Sequence, residues 1–549
     1  MGTYINTGNA GFQSARNSTY VDKSETVAVI NSTINTARRF SCVTRCRRFG
    51  KSMAAKMLCA YYDLSCDSRK LFADLRIARE PSFEQHLNKY PVIFIDMTSF
   101  VTRYKDDTII QHVNDELKSD VHAAYPDVPV EDEDDLMALL IRIAAAKQLQ
   151  FFFIIDEWDA ICREFKVGTK AMDNYVNWLR RMFKGGGSEQ VFAGVYMTGI
   201  LPIKKYKTES ALNNFTEYSM VNPGRLAGCF GFTKSEVKSL CESEGGNFDE
   251  MEKWYDGYKM GNEPSIFNPN SVMQALWEGR CRSFWASTGA YDAVAAYIQM
   301  NYEGLKDDIV GMLGGGRCPV DPTGFQNDMS IIRSKDDVLT VLIHLGYLAY
   351  DWDASECYIP NHEVAGEMVN AVKSNHWDVV VKAIEQSKLL LQAVIDGNEE
   401  ATAKGVELVH DENTSILSYN DENSLACVLS IAFYAARSNY IIHRELATGK
   451  VAIKQEQSQV YLNSAEHEQA RTKSKGFADL VLIPRKHVDS PAIVFELKYN
   501  QDADTAIDQI KRKEYPAKVA QYTGNLLLVG INYDKAAKKH SCLIEKMCL

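Results

Sequence analysis

Hydrophobic residues in the first part of the chain form short continuous runs that alternate with longer amphipathic segments. Three of these runs, at residues 91–96, 151–156 and 191–198, contain few polar positions before their ends. Strands that lack polar alternation are buried on both faces, as in a parallel sheet covered by helices. The pattern from about residue 20 to 233 therefore predicts a parallel α/β sheet.

After residue 270 the apolar positions recur at helical spacing, and strand signals are few as far as residue 413. This periodicity predicts a helical middle domain. From residue 415 the pattern becomes mixed, with helices expected at 424–437 and 506–513 and strands at 476–483, 492–499 and 525–529. We therefore expect an α/β multidomain protein with domains at residues 1–290, 291–414 and 415–549.

The composition is that of a soluble globular protein, since 46% of the 549 residues are hydrophobic and 24% are charged. The 61 basic and 72 acidic residues give a net charge of −11, so any nucleic-acid site has to be local. Thirteen cysteines occur without zinc-ligand spacing. Without a leader-like start or a long apolar run, we expect a cytoplasmic protein with reduced thiols and no membrane partner.

A candidate phosphate-binding loop follows a further strand-like segment, at residues 40–43. Residues 45–52 join that strand to a helix-like segment, which would aim backbone N–H groups and a helix N-terminus at a phosphate. Lys51 would reach the terminal phosphates of ATP, and the Ser52 hydroxyl would bind Mg²⁺. Because Arg45 stands where the motif has its first glycine, a chance turn is the alternative.

The strand at 151–156 strengthens this interpretation because it ends in two acids, Asp156 and Glu157. In nucleotide hydrolases with this order of motifs, the first carboxylate holds Mg²⁺ and the second orients the attacking water. A core strand followed by an acidic surface turn is the alternative.

Other residues add to the predicted anion site. Seven basic residues and no acid lie between residues 26 and 62. Thr198, at the end of the third strand, is placed to sense a γ-phosphate, although a structural strand-end threonine explains it nearly as well. Arg225 is a weaker candidate for an arginine finger, the arginine that stabilises charge on the transferred phosphate.

A second constellation lies near the C-terminus. Asp479 interrupts one apolar strand, and Glu496 and Lys498 share a face of the next because side chains alternate along a strand. If the strands pair, Asp479 meets Glu496, and two half-buried carboxylates need a cation between them. Oxygen ligands favour Mg²⁺, with Mn²⁺ as the alternative.

Lys498 would then hold or activate a water, and Gln509 on the following helix would orient Lys498 or that water. A purely structural arrangement, with Asp479 capping a hairpin and Glu496 and Lys498 forming an exposed pair, is the alternative.

The chain resembles the AAA-ATPase-like family, whose phosphate loop typically reads R-P-R-R-F-G-K-S. The resemblance is carried by residues 20–24, 45–52, 154–159, 229–233, 255–258 and 267–269. An arginine at the first-glycine position is thus that family's own pattern. Cys46 replaces the family's proline, and Trp158 replaces its usual tyrosine. The resemblance implies that the nucleotide is bound by Arg47, Arg48, Phe49, Gly50, Lys51, Ser52, Asp156 and Thr198.

The C-terminal part resembles the PD-(D/E)XK nuclease superfamily, in the branch commonly fused to this ATPase. The matching positions are Glu445, Gly449, Lys450, residues 476–479, Glu496, Lys498, residues 506–510 and Tyr515. The resemblance implies a restriction-endonuclease-like domain in which Asp479 and Glu496 bind metal, Lys498 activates water and Gln509 supports them. Glu422 is a further candidate carboxylate. Residues 451–475 enlarge the first hairpin relative to the family.

Residues 345–348 and 358–364 also match the family's linker, which implies a small winged-helix-like unit. The predicted function is an ATP-binding and ATP-hydrolysing protein coupled to a Mg²⁺-dependent nuclease, with DNA as the favoured nucleic-acid partner. The alternative is an ATP-dependent regulatory or nucleic-acid-binding protein whose nuclease-like domain does not cut. The sequence leaves homo-oligomerisation, strand preference and RNA as a substrate open.

Overall fold

The computed structural model describes the chain apart from a set of short segments and two longer ones. Excluded are residues 1, 130–134, 166–168, 204–211, 286–295, 301, 314–315, 326–331, 375–377, 414–432, 434–435, 437–439, 448–476, 485–489, 513–524, 535 and 549. For some strand and helix residues, 443–447 and 477–479 among them, the backbone alone is described. The predicted helix at 424–437 lies outside the described residues except for Phe433 and Ala436, and the insertion 451–475 lies wholly outside them.

The described residues form two compact units. One combines Met1–Val294 with Pro319–Glu367, and the other combines Ala295–Cys318 with Met368–Leu549. The predicted domain boundaries at residues 290 and 414 both fall outside the described residues. The three-domain division therefore stays a prediction.

The strands are numbered in chain order. They are β1 (Phe40–Thr44), β2 (Val92–Asp96), β3 (Phe151–Asp156), β4 (Phe192–Gly199), β5 (Thr216–Tyr218), β6 (Phe232–Thr233), β7 (Tyr258–Met260), β8 (Glu263–Phe267), β9 (Cys318–Pro319), β10 (Ala349–Asp351), β11 (Glu356–Tyr358), β12 (Tyr440–Ala447), β13 (Phe477–Pro484), β14 (Ala492–Tyr499), β15 (Asn525–Asp534) and β16 (Lys539–Cys548).

The first unit is built on a parallel five-stranded sheet in the order β2-β3-β4-β1-β5. Both faces of the sheet are covered. In β3, Phe151, Phe153 and Ile155 pack in one core, whereas Phe152 and Ile154 pack in another. Burial on both faces explains why these strands show no polar alternation, and the predicted parallel α/β sheet is confirmed.

Helices surround this sheet and continue into the rest of the first unit. The α-helices are Ala10–Arg16, Glu25–Asn31, Lys51–Tyr62, Arg69–Phe72, Phe83–His86, Met97–Arg103, Ile109–Ala124, Leu136–Lys147, Ala160–Glu164, Lys170–Phe183, Ser188–Val191, Lys234–Glu244, Phe248–Tyr255, Pro269–Glu278, Lys335–Leu345 and His362–Ser374, the last of which runs past the unit's end. The 3₁₀ helices are Arg76–Arg79, Gly224–Leu226 and Pro322–Gly324. A small antiparallel sheet has the order β6-β8-β7, and β10 and β11 form a hairpin.

The second unit contains a mixed sheet in the order β12-β13-β14-β15-β16. β14 and β15 are parallel, and the other neighbours are antiparallel. Its α-helices are Leu305–Leu313, Asp378–Ile395, Glu399–Asn413 and Ala503–Arg512. The mixed C-terminal sheet and the many helices of the middle region agree with the predicted fold class.

Some predicted bounds were wrong by a few residues. Val191 ends a short helix, so β4 begins at Phe192, and the helix expected from residue 506 begins at Ala503. Sequence patterns did not predict β5, β12 or β16. These strands carry mixed polar and apolar residues, so their pairing with neighbouring strands decides them. Among the described residues, no helix combines the length and apolar character needed to cross a membrane.

Candidate functional site

The loop after β1 has the geometry of a phosphate-binding loop. Gly50 adopts φ +89°, and no atom lies within 4 Å of the position a Cβ would take, so glycine is favoured here by the backbone conformation alone. The helix Lys51–Tyr62 begins at the next residue. Its first backbone N–H groups and the positive end of its dipole are therefore available to a phosphate.

Arg45, at the unusual first position of the loop, is structural. Its side chain is fully buried and donates to the carbonyls of Thr44 (2.9 Å), Tyr218 (2.7 Å) and Leu226 (3.2 Å). It also lies 5.2 Å from the Phe230 ring centroid. Burial lowers the pKa of Arg45 to about 10. Arg45 thus ties the loop to β5 and to the 3₁₀ helix that follows, and does not face the solvent.

A cavity of about 740 Å³ opens beside the loop. Its wall includes all six predicted loop residues from Arg47 to Ser52, together with Glu157. Tyr20, Val21, Phe232 and Met273 supply an apolar portion of the wall. A cavity of this volume with basic, acidic and apolar walls is large enough for a nucleotide.

The six loop residues differ in what they contact. The Phe49 ring is buried edge-on to the Tyr258 ring, with centroids 5.1 Å apart. The backbone carbonyl of Phe49 accepts from the Gly231 N–H (3.2 Å). Arg48, at φ +67°, donates to the Phe284 carbonyl (2.9 Å), and Arg47 is exposed. Phe49 and Arg48 therefore also anchor the loop within its own unit.

The carboxyl edge of the sheet carries the predicted acids. Asp156 is 5% exposed and lies in register with Asp96 on β2. Burial raises the pKa of Asp156 to about 6; the Ser52 hydroxyl and Lys51 oppose this shift, whereas Glu157 and Asp96 add to it. A buried carboxylate that is costly to ionise and touches a serine hydroxyl fits a hard cation such as Mg²⁺, whose other ligands would be water and phosphate.

Glu157 lies between two cations. Lys51 Nζ is 3.9 Å from Glu157 Oε1 and donates to the Cys46 carbonyl (3.1 Å). On the other side, Arg163 Nη2 donates to Glu157 Oε2 (2.5 Å). Glu157 has φ +53°, a strained value for a residue with a side chain, and such strain clusters at functional sites.

Thr198 and Arg225 have different surroundings from those predicted. Thr198 is buried on β4 in register with Val43, and its hydroxyl has no hydrogen-bond partner among the described residues. It does not line the cavity, whereas Ile200 does. Arg225 lines another cavity, of about 490 Å³, together with Lys259 and Trp352. The structure therefore gives Arg225 no place beside the phosphate loop.

The second candidate cluster is built by β14 and the helix Ala503–Arg512. Glu496 and Lys498 are 2% and 7% exposed, and Lys498 Nζ lies 3.5 Å from Glu496 Oε1. The Gln509 amide donates to the same oxygen. The proposed exposed pair of Glu496 and Lys498 is thus wrong, because both side chains are buried.

Asp479 is placed by the backbone register. The pairing of β13 with β14 runs from Leu482↔Ile493 to Leu480↔Phe495, and one further step aligns Asp479 with Glu496. Pairing of β12 with β13 aligns residues 444 and 446 with 480 and 478, so Glu445 falls opposite Asp479. The three acidic positions therefore occupy one row across the sheet.

Among the side chains that the structure describes, no three His, Cys, Asp or Glu residues group as metal ligands. The side chains of Asp479 and Glu445 lie outside that set, as do Gly449, Lys450, Glu422 and Tyr515.

Gly530 brings the helix close to this row. It pairs with Glu496 on the neighbouring strand, and an added Cβ would lie 2.5 Å from the Ala503 carbonyl oxygen and 3.0 Å from Ala506 Cβ. Glycine therefore allows the helix that carries Gln509 to approach the sheet. A glycine inside an otherwise apolar strand was the sequence signal for this close approach.

Sequence reasoning also missed two residues of the first site. Asp159 is fully buried and accepts from the backbone N–H groups of Ile200 (3.2 Å) and Leu201 (3.0 Å). Arg163, one helical turn later, has its Nε 3.7 Å from Asp159 Oδ2. Their i,i+4 spacing directly after the Asp156–Glu157 pair was the available signal.

The first unit combines a loop of the phosphate-binding type, a parallel sheet and an acidic strand end, which is the arrangement found in P-loop nucleotide-binding domains. Residues 10–208 match the family model described as a predicted AAA-ATPase. Residues 457–541, which contain Asp479, Glu496, Lys498 and Gln509, match the PD-(D/E)XK nuclease superfamily. Both predicted resemblances are confirmed at the level of these segments. No curated protein matches the chain.

Proposed function

We propose that this chain binds and hydrolyses ATP with Mg²⁺ and uses a metal-dependent nuclease domain to cleave phosphodiesters, with DNA as the substrate. The observation that carries the nuclease part is the buried cluster in which Lys498 and Gln509 contact one oxygen of Glu496. A lysine and a glutamate buried together need a functional or structural reason, since burying charges is costly. Alignment of Asp479 with Glu496 favours the functional one.

In the proposed ATPase site, different residues would bind the phosphates, hold Mg²⁺ and orient the water. The helix N-terminus and Lys51 would bind the phosphates, while Ser52 and Asp156 would hold Mg²⁺. Glu157 would orient the attacking water and accept its proton. Thr198, on the strand beside β3, supplies a buried hydroxyl near the same edge.

In the nuclease site, Asp479 and Glu496 would hold Mg²⁺ or Mn²⁺. A bound divalent ion stabilises charge on the phosphate and lowers the pKa of its water. Gln509 fixes the rotamer of Glu496, and Lys498 would position the water that attacks phosphorus. We also propose that ATP binding in the first unit gates cleavage by the second, because γ-phosphate contacts commonly bias two-state elements.

The test is cleavage of linear, circular, single-stranded and branched DNA, and of RNA, with Mg²⁺ or Mn²⁺ and with ATP, ADP or no nucleotide. Glu496→Gln should slow cleavage by roughly 10³-fold, because it removes a charged ligand of the divalent ion that would stabilise charge on the reacting phosphate. Glu545→Gln, on β16 of the same sheet and ion-paired with Lys511 at the surface, is the matched control and should cut normally.

Equal cleavage by wild type and Glu496→Gln would contradict the nuclease assignment. No cleavage of any substrate by a protein that still binds ATP would favour the alternative, an ATP-dependent regulator that binds nucleic acid without cutting it. Equal rates with ATP, ADP and no nucleotide would refute the gating.

A further inference from the structure

Arg163 connects the wall of the nucleotide cavity to the acids that end β3. Its side chain is 20% exposed, and it lines the same cavity as Lys51, Ser52 and Glu157. The guanidinium contacts Glu157 through Nη2 and Asp159 through Nε. Arg163 therefore stands where a bound phosphate and the proposed water-orienting acid would both be within its reach.

The two carboxylates that contact Arg163 are held differently. Asp159 accepts from two backbone N–H groups, at Ile200 and Leu201, so its position is fixed whether or not Arg163 stays. Glu157 is held by Lys51 and Arg163, two cations that both line the cavity. A triphosphate entering the cavity would compete for these cations. Glu157 would then lose both of its charged partners, whereas Asp159 would keep its two backbone N–H donors.

We propose that Arg163 is an arginine finger supplied by the chain's own nucleotide site, and that it exchanges Glu157 for the γ-phosphate when ATP binds. This inference rests on the proposed ATPase function. During hydrolysis the water oxygen bonds to the γ-phosphorus as the bond to the bridging oxygen of ADP breaks. The water proton passes to Glu157, and Arg163 stabilises the charge that develops on the transferred phosphate.

Arg48, which also lines the cavity, is less suited to this role because it donates to the Phe284 carbonyl. Arg225 belongs to the second cavity. A finger within the chain removes the need for a neighbouring subunit at the nucleotide site. The proposal therefore predicts that turnover per chain is independent of protein concentration.

The test compares ATP affinity and steady-state hydrolysis in the full chain for wild type, Arg163→Ala, Arg163→Lys and Arg225→Ala. Arg163→Ala should lower kcat by about 10³-fold or more while the Kd for ATP changes by only a few-fold. Arg163→Lys should recover part of kcat, because it keeps the charge but cannot contact two groups with a planar fork. Arg225→Ala is the matched control and should hydrolyse ATP at the wild-type rate.

A structural role for Arg163 predicts different results. Added guanidinium ion should restore part of the turnover of Arg163→Ala if the side chain acts on the phosphate, and a folding defect would not respond. Melting temperatures identify such a defect. If Arg163→Ala does not fold, the kcat of Arg163→Lys tests the proposal, because this variant should retain only part of the wild-type kcat.

Mixing two inactive proteins separates an arginine acting within its own chain from one donated to a neighbour. An equimolar mixture of Arg163→Ala and Glu157→Gln should remain inactive, because neither chain has a complete site. Restored hydrolysis would overturn the proposal, as would an unchanged kcat in Arg163→Ala. A wild-type protein that does not hydrolyse ATP would refute the proposed function itself, whereas normal wild-type turnover with normal Arg163→Ala turnover would refute this inference alone.

Discussion

The two candidate sites bury charged side chains by opposite means. Around the phosphate loop, the cation Arg45 is buried without an acidic partner among its described contacts and is held by three backbone carbonyls. In the C-terminal sheet, the anion Glu496 is buried against the side chains of Lys498 and Gln509. The first arrangement draws on two strands, β1 and β5, and a 3₁₀ helix, and the second draws on one strand and one helix.

This difference indicates a structural role for Arg45 and supports the catalytic roles proposed for Glu157 and Glu496. The carbonyls that bind Arg45 belong to the backbone of ordered elements and cannot be exchanged for a ligand, so Arg45 holds its loop in one conformation. Side chains that neutralise a carboxylate can exchange it for a metal or a phosphate, and this is the property expected of Glu157 in the first unit and Glu496 in the second. We therefore expect substitutions at Arg45 to affect stability and substitutions at Glu157 and Glu496 to affect activity.

The largest effect should come from Arg45→Ala. This change removes the Arg45 donors from the Thr44, Tyr218 and Leu226 carbonyls and opens a cavity, so we expect a loss of about 2–4 kcal/mol in the free energy of unfolding. Arg38→Ala, at an exposed position in the same basic segment, is the control and should change stability by less than about 0.5 kcal/mol. Chemical denaturation measures both. A small loss for Arg45→Ala would show that the loop does not depend on this anchor.

A smaller effect is expected from Gly530→Ala in the second unit. The new methyl group would meet the Ala503 carbonyl at 2.5 Å, so the helix with Gln509 has to move, at a cost of about 1–3 kcal/mol. Cleavage should fall as Gln509 withdraws from Glu496. Gly311→Ala, where nothing lies within 4 Å of the new Cβ, should not destabilise the unit. Unchanged melting and cleavage in Gly530→Ala would contradict the inferred helix approach.

The smallest and most pH-dependent effect is expected at Asp156. Its pKa is raised from 3.8 to about 6, so the folded protein favours the protonated carboxyl group. The free-energy cost of ionising Asp156 in the folded state is therefore absent below pH 3.8 and reaches its full size once the pH has risen through about 6. Asp156→Asn should therefore stabilise the nucleotide-free protein by roughly 1–2 kcal/mol at pH 8 and by less at pH 5. It should also weaken Mg²⁺-dependent ATP binding.

Asp74→Asn provides a control of opposite sign. Its hydrogen bond with Arg16 lowers the pKa of Asp74, so removing the charge should slightly destabilise the protein at pH 8. Thermal melting from pH 5 to 8 distinguishes the two cases. A gain for Asp156→Asn that is equal at both pH values would mean that ionisation of Asp156 does not cause it.

The sequence by itself determined the parts of the protein that depend on local pattern. The apolar runs of β2, β3 and β4 identified a buried parallel sheet, and the Gly50–Lys51–Ser52 segment with the Asp156–Glu157 pair indicated the candidate phosphate site. The spacing of Glu496 and Lys498 placed them on one face of β14. Period, helix start and strand end are encoded within a few residues, so they can be read without tertiary contacts.

Only the tertiary structure decided which of the polar residues contact one another. Arg45 stands in the nucleotide motif but binds carbonyls of β5 and of a distant 3₁₀ helix, and Arg163 belongs to no motif but contacts Glu157 at the cavity. Arg225, a weak candidate for the arginine finger from sequence, lines another cavity. Such pairings depend on where the chain returns after tens of residues, and one arginine looks like another until the fold brings its partners together.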